Sequence, residues 1–191
     1  MIDKFKILLA SSSPRRKEIL QMVGADVRVV SSNAEERIYA TPEETAVKNA
    51  EAKALAVKDK AKSDEIILAA DTIVVFNGKV LGKPVDEREA VEFLKKLSSN
   101  YHTVITGFAL LFPSGKLVSG LETTRVKFKR MSLKEIEWYV ETGEPIDKAG
   151  AYGIQGIGAI FVERIEGDYF NVMGLPIGKI YDILTLETRL L

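Results

Sequence analysis

The 191-residue chain contains no cysteine and only one histidine. The lack of cysteine excludes disulfide bonds, thiol catalysis and cysteine-ligated zinc. His102 has no second histidine to share a metal with, so a local hydrogen-bonding role is far more typical of it than catalysis. Carboxylates, lysines, arginines and hydroxyls are therefore the favoured candidates for catalytic chemistry.

The chain also lacks an excess of either charge and any long apolar run. Lys and Arg number 27, as do Asp and Glu, which argues against a nucleic-acid binder with a broad basic surface but leaves a local groove open. No apolar run reaches membrane-spanning length, and Phe5–Ala10 is too short for a secretory signal. These features predict a cytoplasmic protein that binds neither nucleic acid nor membrane.

What the chain does contain is enough apolar sequence for one core. With 46% hydrophobic and 28% charged residues, it is expected to form a single domain over residues 1–191. Apolar runs alternate irregularly with amphipathic segments, and Asn77-Gly78 predicts a tight hairpin. The pattern favours a mixed α/β fold, with a sheet flanked by helices. Residues 169–173 are predicted to form a short extended segment.

The segment Ser11–Arg16 follows a short apolar strand and predicts a helix start. Ser13 suits the N-cap and Pro14 the first helical position. Arg15 and Arg16 then fall in the first turn, where the helix dipole disfavours cations unless an anion is bound. The segment favours a phosphate site that includes Ser11, although both arginines could simply lie in solvent.

Asp71 interrupts the apolar run Ile66–Phe76, and an unpaired carboxylate is costly to bury. A functional role is favoured over a local turn in which Asp71 bonds its own backbone. The hairpin brings Lys83 near the same end, which predicts either a salt bridge or a phosphate and metal site. Lys53 lies beside the apolar face of a predicted helix, where most lysines are merely surface residues.

The segment 147–158 holds four glycines and Gln155, and it predicts a loop that approaches another group closely. A generic flexible loop is an equally good interpretation, and the segment lacks the ending of a Walker loop. The Gln155 amide could donate and accept side by side, as the edge of uracil or thymine requires. Lysines and arginines combined with carboxylates, without a group of histidines, suit a polyphosphate with a bound Mg²⁺.

The chain resembles the Maf-like nucleoside triphosphate pyrophosphatases over essentially its whole length. The resemblance rests on Leu8-Ala-Ser-x-Ser-Pro-Arg-Arg16, Ala70-Asp-Thr72, Gly82-Lys-Pro84, Asp147-Lys-Ala-Gly-Ala-Tyr-Gly-Ile-Gln-Gly156 and Gly174-Leu-Pro176. It implies a twisted mixed sheet with a central cleft, similar to the inosine triphosphatases. It also implies cleavage between the α- and β-phosphates of a nucleoside triphosphate, with a divalent cation, Mg²⁺ or Mn²⁺, as cofactor.

The resemblance further assigns roles to individual residues. It implies that Asp71 is the catalytic base and shares the metal with Glu35, with Glu36 as the neighbouring alternative. The substrate-binding residues that it implies are Ser11, Ser13, Arg15, Arg16, Lys53, Thr72, Lys83 and Gln155. Thr72 and Gln155 are typical of the subgroup that acts on dTTP and UTP.

The same resemblance implies cleansing of nucleotide pools, a link to arrest of cell division, and a homodimer as a common state. A different class of function stays open, because a non-catalytic, nucleotide-binding regulator of division would use the same phosphate pocket.

Overall fold

A computed structural model describes residues 2–189, with side chains omitted at positions 3, 188 and 189. The strands are β1 (Lys6–Leu9), β2 (Asp26–Val29), β3 (Glu65–Phe76), β4 (Lys79–Leu81), β5 (Tyr101–Leu111), β6 (Leu117–Phe128) and β7 (Val162–Glu166). The helices are α1 (Pro14–Met22), α2 (Pro42–Leu55), α3 (Glu87–Leu97), α4 (Leu133–Glu141), α5 (Tyr169–Met173) and α6 (Ile177–Arg189). Short 3₁₀ turns occupy Ile2–Lys4, Lys58–Lys60, Ala149–Ala151 and Ile157–Phe161.

The strands form one seven-stranded mixed sheet in the order β2-β1-β3-β5-β6-β7, with β4 also paired to β3. β1 runs parallel to both β2 and β3. β4 pairs antiparallel with β3, and β7 pairs antiparallel with β6. The β3–β4 hairpin turns at Asn77 and Gly78, whose φ angles of 49° and 75° are those of the tight turn that this dipeptide favours. The mixed α/β fold predicted from the sequence is confirmed.

Side chains at the N-cap positions stabilise the starts of three helices. Thr41 and Asp86 accept hydrogen bonds from backbone N–H groups three residues on, and Ser132 forms a complete capping box with Glu135. Ser13 lies at the N-cap position of α1, but its side chain makes no capping bond. Its own N–H instead donates to Ser11 Oγ at 3.1 Å, so Ser11 orders this turn.

The chain divides into two compact units. The first comprises Met1–Asp71, Thr106–Glu122 and Gly174–Leu191, and the second comprises Thr72–Ile105 and Thr123–Met173. In the first, Ala50 and Ala54 of α2 pack on Leu8 of β1 and Ile67 of β3. Small alanines allow this helix to approach the strands closely.

The second unit has its own apolar core. Side chains from α3 and α4 pack there with residues of β3, β5 and β6. The core includes Phe93, Leu97, Val104, Val126, Phe128, Ile136, Tyr139, Tyr152 and Phe161. Each unit therefore excludes water from its own interior, which is the main favourable contribution to folding.

The prediction of extended backbone at residues 169–173 is wrong, because this segment is helix α5. Asp168 Oδ1 accepts a hydrogen bond from Phe170 N at 2.7 Å, and Asn171 Nδ2 donates to Val104 O at 3.1 Å and to Thr124 Oγ1 at 2.9 Å. Partners from β5 and β6 thus stabilise a turn too short to form alone. Across residues 2–189, no helix is both long and apolar enough to cross a membrane.

Candidate active site

The first unit buries a carboxylate that is paired with a lysine. Asp71 on β3 is 6% exposed, and its Oδ1 lies 2.5 Å from Lys53 Nζ of α2. The Lys53 side chain is itself only 13% exposed. The alternative of a local turn does not apply, since Asp71 lies within a strand and its oxygens accept bonds from a helix. The ion pair between Asp71 and Lys53 is therefore buried, and water screens it little.

Asn49 is a second partner of Asp71, which sequence reasoning missed. Its Nδ2 donates to Asp71 Oδ2 at 3.2 Å and to Arg37 O at 3.1 Å, while its Oδ1 accepts from Arg37 N at 2.9 Å. One buried amide thus joins the loop at Arg37 to α2 and β3. The available signal was spacing, because Asn49 lies one helical turn before Lys53 and on the same face.

The two glutamates of the loop before α2 have different partners. Glu36 Oε1 lies 2.7 Å from Lys53 Nζ, so Glu36 and Asp71 contact the same ammonium group. Glu35 is exposed and pairs with Arg37 at 2.8 Å. The structure therefore brings Glu36 to the same lysine as Asp71, whereas the metal role of Glu35 stays a prediction. Local sequence could not separate two adjacent acids in an irregular loop.

The loop at the start of α1 is built around Arg16. Its Nε donates to Gly174 O at 2.9 Å and its Nη1 to Ser11 Oγ at 3.1 Å. Burial lowers the pKa of Arg16, and the negative charge of Asp71 opposes that shift. Arg15 is partly buried next to it, and no acidic residue lies in the first turn of α1. Positive charge thus accumulates at a helix N-terminus, which suits phosphate.

The remaining predicted residues belong to the second unit. Thr72 directly follows Asp71 on β3, and Lys83 is exposed just after β4. Gln155 is exposed between the two 3₁₀ turns of the glycine-rich loop. Their roles toward a substrate stay predictions.

Hydrogen bonds to Glu144 hold the backbone of the glycine-rich loop (residues 147–158), contrary to the interpretation as a generic flexible loop. Glu144 Oε2 accepts from Ile157 N at 2.9 Å, and its Oε1 accepts from Gly158 N at 3.0 Å and from the Tyr139 hydroxyl at 2.8 Å. Burial raises the pKa of Glu144, but these hydrogen bonds outweigh it and the net shift is downward. Lys148 Nζ donates hydrogen bonds to Glu144 O and to Asp147 Oδ1, so Lys148 has a structural role in this loop.

The chain is similar in sequence to known proteins over nearly its whole length. A family model described as Maf-like protein matches residues 6–187. A dTTP/UTP pyrophosphatase of Pyrococcus abyssi is 52% identical over 181 residues, covering 94% of this chain and 95% of that protein. The dTTP/UTP pyrophosphatase of Aquifex aeolicus is 45% identical over 180 residues, with 94% of each covered.

Solved structures show a likeness in fold. A HAM1 protein from Coxiella burnetii has a TM-score of 0.54 and 14% identity, covering 95% of this chain and 98% of that one. At this identity the likeness concerns the arrangement of helices and strands alone.

Proposed function

This chain belongs to the Maf-like protein family, and we propose that it hydrolyses dTTP and UTP to the monophosphate and pyrophosphate. The observation that carries the proposal is the buried Asp71 carboxylate on strand β3, which Lys53 and Asn49 hold at 2.5 and 3.2 Å. Relatives with about half of their residues in common carry the name dTTP/UTP pyrophosphatase. A housekeeping role toward the nucleotide pool follows from such an activity.

In the proposed reaction, Asp71 accepts a proton from water as that water attacks the α-phosphorus. The new phosphorus–oxygen bond forms while the bond to the β-phosphate oxygen breaks, and pyrophosphate leaves. Lys53 holds the Asp71 carboxylate in place through an ion pair, and a carboxylate fixed within hydrogen-bond reach of the attacking water can accept its proton. Positively charged groups that are already in place stabilise the charge that develops on the phosphate oxygens.

Phosphate binding is assigned to the start of α1. Ser11 and Arg16 are already joined to each other, so the guanidinium is held in place before substrate arrives. Arg15 and Ser13 lie in the same turn and are proposed as further contacts. Thr72 and Lys83 are proposed as further substrate contacts.

A divalent cation, Mg²⁺ or Mn²⁺, is part of the proposal. Glu36 and Asp71 both contact Lys53 Nζ, so two carboxylates already converge on one positive group, and such hard oxygen donors fit these ions. Among the side chains that the structure describes, which exclude that of residue 3, no group of three or more His, Asp or Glu residues could hold a metal. The remaining ligands would come from substrate phosphates and water, and the bound ion would neutralise phosphate charge.

Gln155 is proposed to read the base, since its amide matches the N3–H and O4 groups of thymine and uracil. It is exposed on the glycine-rich loop, and the hydrogen bonds of Glu144 hold the backbone of that loop. Reading the base is thus assigned to a different part of the chain from the chemistry at Asp71.

The test is pyrophosphate release from a panel of dTTP, UTP, CTP and GTP with Mg²⁺ or Mn²⁺, before and after chelation. We expect release from dTTP and UTP, its loss on chelation, and a fall of about 100-fold or more in kcat for Asp71→Asn. The matched control is Asp59→Asn, an exposed position in the same unit that should keep wild-type kcat.

Two outcomes would contradict the proposal. Wild-type turnover by Asp71→Asn would remove Asp71 as the base. Nucleotide binding without release from any triphosphate would favour a non-catalytic regulator.

A further inference from the structure

The carboxylate of Glu144 lies under the glycine-rich loop and uses both oxygens to hold it. Oε2 accepts from Ile157 N, and Oε1 accepts from Gly158 N, at 2.9 and 3.0 Å. These two consecutive N–H groups open the 3₁₀ turn Ile157–Phe161. A carboxylate that accepts bonds from two backbone N–H groups immobilises the residues that carry them.

Tyr139 of α4 adds a second attachment to the same loop. Its hydroxyl donates to Glu144 Oε1 at 2.8 Å and accepts from Gly153 N at 3.2 Å. Tyr139 is fully buried, and its ring packs against Phe161 with the centroids 5.2 Å apart. The rigid core of the second unit therefore extends to the hydroxyl that binds Gly153.

Two glycines of the loop lie in close contact with Glu144 and Tyr139. A Cβ at Gly158 would fall 2.5 Å from the Tyr139 hydroxyl, and one at Gly156 would fall 2.7 Å from Glu144 Oε2. Gly156 also has a φ of 92°, in the left-handed region. Only glycine fits this close approach, so the glycines here serve contact with Glu144 and Tyr139 rather than flexibility.

Gln155 is the exposed residue between these attachment points. Gly153 precedes it by two residues, and Ile157 and Gly158 follow within three, all three bonded to Tyr139 or Glu144. The hydrogen bonds of an amide to a base weaken steeply when distance or angle departs from the optimum. The backbone that carries the base-reading amide is thus held by one carboxylate and one hydroxyl.

We propose that Glu144 is a positioning residue that sets base selectivity by holding Gln155 in place. The proposal rests on the proposed function, and specifically on Gln155 as the reader of the base. An ordinary scaffold residue would support all substrates alike, whereas Glu144 supports the recognition of uracil and thymine in particular.

The informative variant is Glu144→Gln, because it keeps the shape and disturbs the hydrogen bonds. A glutamine has one acceptor oxygen, so its NH₂ group must face either the N–H of Ile157 or the donors on the other side. At least one backbone N–H then loses its partner and the loop loosens. The matched control is Glu141→Gln, an exposed glutamate at the end of α4.

The measurement is kcat and KM for UTP and CTP in each variant. For Glu144→Gln we expect kcat/KM for UTP relative to CTP to fall about tenfold, mostly through a higher KM for UTP. Glu141→Gln should keep the wild-type ratio. Tyr139→Phe, which removes the second attachment, should change the ratio in the same direction and serves if Glu144→Gln fails to fold.

The double variant Glu144→Gln/Gln155→Ala separates positioning from a general structural effect. If Glu144 acts through Gln155, the glutamate substitution should not change the UTP:CTP ratio further once Gln155 is alanine. An unchanged ratio in folded Glu144→Gln, or fully additive effects in the double variant, would overturn the proposal. A wild-type protein without pyrophosphate release would instead overturn the proposed function, and this inference with it.

Discussion

At the scale of single residues, Asn49 joins three segments of the first unit through one amide. It is 4% exposed and binds Asp71 together with both backbone groups of Arg37. The bonds to Arg37 keep the Glu36 loop beside α2, and the bond to Asp71 orients the carboxylate toward Lys53. Neither effect is visible in the sequence, where Asn49 is one polar residue on an alanine-rich helix.

Replacing Asn49 by alanine is expected to reduce kcat about tenfold and the free energy of unfolding by about 1–3 kcal/mol. The reason is that the backbone groups of Arg37 lose their partner and Asp71 loses one of the bonds that orient it. Pyrophosphate release and urea unfolding measure the two effects. Asn33→Ala, at an exposed position in the preceding loop, is the control and should change neither quantity.

His102 is buried in the second unit, where its ring contacts are with aromatic side chains. Its Nε2 lies 2.8 Å from the Tyr152 hydroxyl, and its Nδ1 has no hydrogen-bond partner within the described residues. The ring packs edge-on against Phe128 and Tyr152. Burial lowers the pKa of His102 from 6.5 to about 4, so the native state holds it neutral at pH values where the unfolded chain protonates it.

The free energy of unfolding is therefore expected to fall on acidification from pH 6.5 toward pH 4, by about 2 kcal/mol at pH 5. The sign follows because the unfolded state binds the proton more tightly than the native state. Since His102 is the only histidine, urea unfolding of wild type and His102→Gln at pH 7 and pH 5 isolates the effect. An equal loss of stability in both proteins would contradict it.

At the scale of elements, the contact between β5 and α2 fixes the position of two active-site side chains. A Cβ at Gly107 of β5 would lie 2.3 Å from the backbone carbon and oxygen of Ala46 in α2. The absence of a side chain at Gly107 is what lets α2 lie so close. Asn49 and Lys53 follow Ala46 by one and two turns on this helix.

Gly107→Ala should lower the free energy of unfolding by about 1–3 kcal/mol, since α2 must shift to admit the methyl group. It should also lower kcat, because Lys53 and Asn49 move away from Asp71. Gly178→Ala is the opposite case, with open space around a helical glycine, and it should stabilise the protein by up to about 1 kcal/mol. Thermal unfolding and pyrophosphate release distinguish the two variants, and similar effects from both would contradict this account.

At the scale of the whole molecule, the equal numbers of acidic and basic residues bear on possible macromolecular partners. The net charge is zero, and cations in both units are paired with carboxylates, as in Lys6–Asp64 and Arg125–Glu166. Such pairs leave little positive potential at long range. Positive charge at α1 is local and suits a small anion.

Binding to duplex DNA is accordingly expected to be weak at all salt concentrations. The affinity is measured by fluorescence anisotropy of a labelled duplex at roughly 50 to 200 mM salt. Proteins that bind DNA through many phosphate contacts lose several orders of magnitude in affinity over roughly this range. A steep decrease of affinity with salt would contradict the expectation and indicate a basic groove.

The sequence by itself determined the mixed α/β fold class, the Asn77-Gly78 turn, the helix starts at Thr41, Asp86 and Ser132, and the buried position of Asp71. These features depend on interactions within about four residues or on a single apolar run, so their causes lie next to each other in the chain. The motif residues Ser11, Arg16 and Lys53 were also identifiable.

Only the tertiary structure decided which of these residues meet. Arg16 binds Gly174, which is 158 residues away, and Asn49 binds Asp71, which is 22 away. Glu36 rather than Glu35 reaches Lys53, and Glu144 holds the loop that carries Gln155. A hydrogen bond between distant segments depends on how helices and strands pack, and local propensity contains no information about that packing.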